Sequence, residues 1–154
     1  MEAKALNDAN TLNYLNENLM LFYIGGKRSA NAILVEQNKN TSKNLKSLNI
    51  MRDQAANLYN DISLLPELLK EGWQLKKSLA SSISNSYIDE IYTLAISHGA
   101  ISGKLLGAGG AGFMLFYCPK VHQNKVRDSL IRHGIKYIPI SIGYSSGSEI
   151  IYNG

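Results

Sequence analysis

Ser102-Gly103-Lys104-Leu105-Leu106-Gly107-Ala108-Gly109-Gly110-Ala111-Gly112-Phe113-Met114-Leu115-Phe116-Tyr117 is the stretch that decides the architecture. Lys104-Leu105-Leu106 and Phe113 to Tyr117 read as strands, and the segment between them places four glycines in six residues. Glycine carries no Cβ and tolerates positive φ, so such a loop lets backbone approach a ligand or another loop closely. Its successive exposed N–H groups can also form an anion nest. Gly107, Gly109 and Gly112 satisfy the spacing of the dinucleotide fingerprint, but that fingerprint needs a helix directly afterward to receive the pyrophosphate. Here a strand follows. A Walker-type loop fails as well, because Lys104 precedes the glycines and no Gly-Lys-Ser or Gly-Lys-Thr follows them. From these residues alone, a tight β-turn packed against a neighbour is an equally good reading.

Upstream of this hairpin, Leu19 to Ile24 is apolar and closes at Gly25-Gly26, as a buried strand does. Ala30, Ile33 and Leu34 then suggest a short helix over 28–37. Thr41 or Ser42 is positioned to cap a helix of roughly twenty residues, in which Leu45, Leu48, Ala55, Leu58, Tyr59 and Ile62 recur near helical spacing. Pro66 fits a first turn of the next helix, with Leu68, Leu69, Trp73, Leu75 and Leu79 apolar and Lys70, Lys76 and Lys77 assigned to its polar face. Ser84 or Asn85 caps a further helix striped by Ile88, Ile91, Leu94 and Ala95 and ended at His98-Gly99. Downstream, Pro119 opens a helix that Gly134 stops, Ile135 to Ile142 reads as a strand, and Ile150 to Tyr152 as another. The order strand, helices, strand, strand, helix, strand predicts an α+β fold: a ferredoxin-like split βαβ sandwich with an antiparallel sheet and extra helices inserted in the first crossover.

The chain has 154 residues, 45% of them hydrophobic, enough for one domain with a real core, so residues 1–154 are read as a single unit. Cys118 is the only cysteine, which excludes an intrachain disulfide and a cysteine-cluster metal site and fits a reducing, cytoplasmic setting. Met1 to Asp8 lacks the basic start and apolar stretch of a secretory signal, and no apolar run reaches membrane length, so neither a leader nor a membrane span is expected. A net charge of +4 is compatible with an anionic ligand and too dispersed to imply nucleic-acid binding.

Ser102 to Phe113 closely resembles the third motif of the kinase superfamily that includes galactokinase, homoserine kinase, mevalonate kinase and phosphomevalonate kinase. Leu21-Phe22-Tyr23 followed by Gly26-Lys27-Arg28-Ser29-Ala30 is similar to the strand-to-helix segment of the heptose-phosphate kinases in that superfamily, with Lys27 where they carry a hydroxyl residue. Trp73-Gln74-Leu75-Lys76-Lys77-Ser78-Leu79 and Gly147-Ser148-Glu149-Ile150-Ile151-Tyr152 resemble the same subgroup.

The resemblance implies the C-terminal, substrate-side domain of an ATP- and Mg2+-dependent sugar kinase. Gly107, Gly109, Gly110 and Gly112 would support the phosphate-binding loop of an N-terminal kinase domain, and Ala111 stands where many members have another glycine. The Gly-Ser-Ser loop, the magnesium-ligating Ser and the catalytic Asp of that family have no counterpart here, so no catalytic or metal-binding residue is assigned and the chain is expected to be inactive alone. Arg28, at a predicted helix start, is the choice for gripping a sugar phosphate in bidentate fashion, and Lys104, beside the glycine loop, is a second substrate contact. A solvated arginine and a strand-edge lysine are the plain alternatives. Expected partners are a sugar phosphate, ATP and the N-terminal domain, with neither nucleic acid nor membrane. A reading of a different class is a freestanding, non-catalytic module of ferredoxin-like fold that binds a small ligand or forms a homodimer through its sheet.

Overall fold

The computed structural model describes residues 8–26 and 30–143. Helix α1 (Ala9–Asn18) leads into strand β1 (Leu19–Gly25), and helices α2 (Ala30–Lys39), α3 (Thr41–Asn60), α4 (Leu65–Ser78) and α5 (Ser86–Ser97) follow. Strands β2 (Ser102–Leu105) and β3 (Gly112–Tyr117), helix α6 (Lys120–Arg132) and strand β4 (Lys136–Ile138) complete the order. The strands form one antiparallel sheet in the order β2-β3-β1-β4, so the predicted split βαβ arrangement and its expanded first crossover are present. Leu19 opposes Tyr117 and Tyr23 opposes Phe113 across the central pair, while Lys104 opposes Leu115 at the β2 edge.

Alternation along the strands sorts side chains to two faces. Met20, Phe22 and Ile24 on β1, with Met114 and Phe116 on β3, join Trp73, Ile83, Ile88, Ile91, Val126 and Leu130 from the helices in the main core. Leu19, Leu65, Leu69 and Tyr117 form a smaller cluster on the other face. Helix α4 lies against the β2 edge and contributes to both clusters, Trp73 to the first and Leu65 and Leu69 to the second.

The predicted end signals act in most places. Asn85 accepts from Ile88 N–H at 3.0 Å and caps α5. Both α5 and α6 end in a left-handed glycine, Gly99 and Gly134, with Ala100 N–H and Ile135 N–H donating back to Ala95 and Leu130 carbonyls.

Four corrections stand beside these. Thr41 does not cap α3, because its hydroxyl donates back to the Asn38 carbonyl at 2.9 Å and Asn40 takes the cap position. Helix α1, capped by Asp8, has no counterpart in the sequence reading. Strand β4 is only three residues long, against the eight-residue strand expected over 135–142. Lys76 lies on the buried side of α4 rather than on its polar face. The strand expected over 150–152 lies outside the described residues.

Candidate functional site

All four glycines of the loop, Gly107, Gly109, Gly110 and Gly112, have positive φ, between 72° and 118°. Gly107, Gly109 and Gly112, with Gly26, Leu106, Ala108, Ala111 and Phe113, line an open groove of about 340 Å3. Half of its lining residues are glycines, and there only backbone is present to meet a phosphate or another loop.

Several contacts hold the loop. Leu106 N–H donates to the Phe113 carbonyl at 2.8 Å and closes the hairpin stem. Gly110 N–H donates to the Ile83 carbonyl at 2.8 Å, tying the loop to the α4–α5 connection. That connection is itself fastened: Ile83 is fully buried, Glu36 of α2 accepts from Ser81 N–H at 2.8 Å, and Asn44 of α3 donates to the Leu79 carbonyl at 2.9 Å. A Cβ at Gly109 would sit 2.9 Å from Ile83 Cα, so the absence of a side chain there permits the approach. Ala111, the departure from the glycine pattern, meets Gly26: a Cβ at Gly26 would lie 2.7 Å from the Ala111 methyl. The missing Cβ has moved to the facing loop.

The third fastening comes from Lys76. Its Nζ donates to the carbonyls of Leu105 at 2.7 Å and Gly107 at 2.6 Å, and the side chain is 9% exposed. Among the described residues no carboxylate forms an ion pair with it. Burial first, and the nearby Lys104 charge second, push the ammonium down to about 8. Lys77, the next residue, faces outward over the Trp73 ring and toward Asp89 at 3.4 Å. The sequence signal was present: Leu65, Leu69, Trp73, Lys76 and Ala80 recur at three- and four-residue steps, so the lysine falls on the buried stripe.

Lys104 lines a different hollow, of about 150 Å3, between α3 and α4, with Met51, Leu58, Leu65 and Leu69 among its walls. Burial lowers its pKa, and no described carboxylate pairs with it. Arg28 lies outside the described residues. Trp73 is fully buried and Tyr117 nearly so, both as core residues, whereas Tyr23 stays exposed and pairs with Phe113 at a ring distance of 5.1 Å. No cluster of three or more His, Cys, Asp or Glu among the described residues is arranged to hold a metal. No helix among them is long and apolar enough to cross a membrane.

The antiparallel four-stranded sheet with helices inserted in its first crossover is consistent with the α+β fold of kinase C-terminal domains. Residues 49–136, more than half of the chain, match the family described as GHMP kinases C terminal, and the chain belongs to that family. It is similar to the D-glycero-alpha-D-manno-heptose 7-phosphate kinase of Campylobacter jejuni, with 35% identity over 80 residues, 49% of this chain and 24% of that protein. The Methanococcus jannaschii mevalonate kinase has the same fold over 90% of this chain and 42% of its own, with TM-score 0.68 and 19% identity. A D-glycero-D-manno-heptose 1-phosphate kinase from Bacteriodes thetaiotaomicron matches 90% of this chain and 37% of its own, with TM-score 0.58 and 16% identity. The chain thus spans less than half the length of each of these relatives.

Proposed function

We propose that this chain is the substrate-side part of an ATP-dependent sugar kinase that transfers the γ-phosphoryl group of ATP to a hydroxyl of a heptose-phosphate-like sugar. The observation that carries this reading is the braced glycine loop in a chain of this family, with a glycine-rich groove beside it. The 35% identity to a heptose 7-phosphate kinase supports the sugar class.

Phosphoryl transfer relies on positioning and charge stabilisation: the sugar oxygen bonds to phosphorus, the bond to the ADP oxygen breaks, and the sugar hydroxyl passes its proton to a carboxylate that this reading assigns to the N-terminal kinase domain. In this reading Mg2+ and ATP are held by an N-terminal kinase domain. The glycine loop faces that domain's phosphate-binding loop, and Arg28 and Lys104 provide cationic contacts for the sugar phosphate. Lys104 stands three residues before the loop and has no described carboxylate partner, which leaves its charge available to an anion. The exposed Tyr23–Phe113 pair, 41% and 40% accessible, supports a further domain covering this end of the sheet.

Coupled ADP-release assays with heptose 7-phosphate test the proposal. The chain alone should show no turnover. A chimera that carries it in place of the matching C-terminal part of the Campylobacter jejuni kinase should phosphorylate the heptose. Robust turnover by the chain alone, or a folded chimera that binds ATP and leaves heptose 7-phosphate untouched, would overturn it.

A further inference from the structure

We infer that Lys76 is a positioning residue that sets the conformation of the glycine loop from the buried side of α4, deepening the kinase reading above and resting on it for the loop's role.

The geometry carries the inference. An ammonium has three N–H donors and no acceptor. Two of them are directed at the Leu105 and Gly107 carbonyls, at the end of β2 and the first residue of the loop. The described peptide bonds are trans, so the C=O and N–H of one unit point in opposite directions. Fixing the Leu105 carbonyl on Lys76 turns Leu106 N–H to the other side, where it meets Phe113 O at 2.8 Å. Fixing the Gly107 carbonyl likewise aims Ala108 N–H away from α4, and Ala108 is part of the groove wall. Ala108, Gly109 and Ala111 N–H make no backbone hydrogen bond among the described residues, whereas Gly110 N–H is held by Ile83. One buried cation therefore fixes the two peptide planes at the entrance of the loop and turns the Ala108 amide toward the groove, while Ile83 holds Gly110.

A lysine is suited to this because its contacts to carbonyls are charge-assisted. The charged group facing it from β2 is Lys104. From α3, Gln54 turns instead to Glu71 of α4 at 2.8 Å, and on α4 itself Lys77 is directed at Asp89 of α5. Nothing among these offsets the cation, so its two carbonyls are its electrostatic support. As pH rises through about 8 the ammonium loses a proton and these contacts weaken, which loosens the loop while the sheet stays formed.

Amide NMR of the wild-type chain from pH 6.5 to 9.5, with the lysine side chains labelled, reads this directly. The Ala108, Gly109 and Ala111 amide shifts should move with the same midpoint as Lys76, and the β1–β3 ladder should not move. Lys76→Met should make the hydrogen-bonded Leu106 and Gly110 amides exchange at least roughly tenfold faster at pH 7, from loss of the charged hydrogen bonds that brace the loop. Lys104→Met should keep the loop transition and raise its midpoint. Loop shifts that stay flat while Lys76 titrates would overturn the inference, and the wild-type titration gives that answer even where Lys76→Met fails to fold. Titration with heptose 7-phosphate at pH 7 separates the two readings. Loop coupling to Lys76 without any shift on adding the sugar phosphate would count against the kinase role of the loop and leave the positioning role standing. Shifts with the sugar phosphate and no coupling to Lys76 would do the reverse.

Discussion

Replacing Gly109 by alanine tests whether the loop is held by contact or merely by its hairpin. At φ +118° an L-residue is strained, and the new Cβ would lie 2.9 Å from Ile83 Cα and 3.1 Å from Ile83 Cγ2 and the Ile83 carbonyl oxygen. Ile83 cannot retreat easily, because it is fully buried and its carbonyl also holds Gly110. Backbone strain of this kind costs about 1–3 kcal/mol. Overpacking a fixed site adds about 1–3 kcal/mol. The entropy that alanine removes from the unfolded chain offsets about 0.4–1 kcal/mol of this. The net loss should be about 1–6 kcal/mol, or a Tm lower by roughly 2–24 °C for a domain of this size. Gly107→Ala is the matched control: φ is +72° and no atom lies within 4 Å of the added Cβ, so only the strain remains. Urea unfolding of both variants measures the difference, at constant slope. Equal losses for the two would refute the claim that packing on Ile83 sets the loop.

Asn85→Ala removes the side chain that accepts from Ile88 N–H at 3.0 Å and should lower stability. The expected loss is about 1 kcal/mol, read as a lower urea midpoint. The Cys118 thiol is fully buried, and burial pushes it up to about 11 from 9.0, so a maleimide should label the native chain far more slowly than the unfolded one at pH 8. Because the unfolded thiol ionises first, its contribution to stability is intact below pH 9 and declines between pH 9 and 11, which a series of urea midpoints would show. Lys76 works in the opposite sense: the folded group releases its proton at about 8, before the unfolded group at 10.5, so its share of stability rises across that interval. Lys76→Met should abolish that rise in the same series.

The elements legible in the sequence were those written in local chemistry. Leu19 to Ile24 and Phe113 to Tyr117 are uninterrupted apolar runs beside glycines, Pro66 sits in the first turn of α4, and Gly99 and Gly134 end their helices. The glycine loop was legible as a place of close approach, but not the identity of what approaches it. Ile83, Gly26 and Lys76 reach the loop from separate elements, and no spacing along the chain records those meetings. Helix α1 was missed because its apolar positions are sparse and only Leu12 is buried. Strand β4 is short because only Lys136–Ile138 finds a partner, on the β1 edge. Lys76 was misplaced by reading charge as exposure, when its position in the Leu65, Leu69, Trp73 stripe already put it inside.

The place of Lys76 on the buried stripe shows what α4 does in this domain. A helix braced against a sheet edge is ordinarily filled with apolar side chains along its inner stripe, and α4 is so filled up to Trp73. One turn later the stripe reaches the open end of the hairpin, where two carbonyls face it and an apolar side chain would leave both without a donor. Lysine answers this because its methylene stem can continue the apolar packing while its head serves the carbonyls. The same helix therefore buries the core at Trp73 and fixes the loop at Lys76. A substitution that shifts α4 along β2 would disturb the whole sheet edge and the loop together, whereas Lys76→Met keeps a stem of similar length and removes the ammonium with both its hydrogen bonds, so its cost falls on the Leu105 and Gly107 carbonyls and the loop they begin.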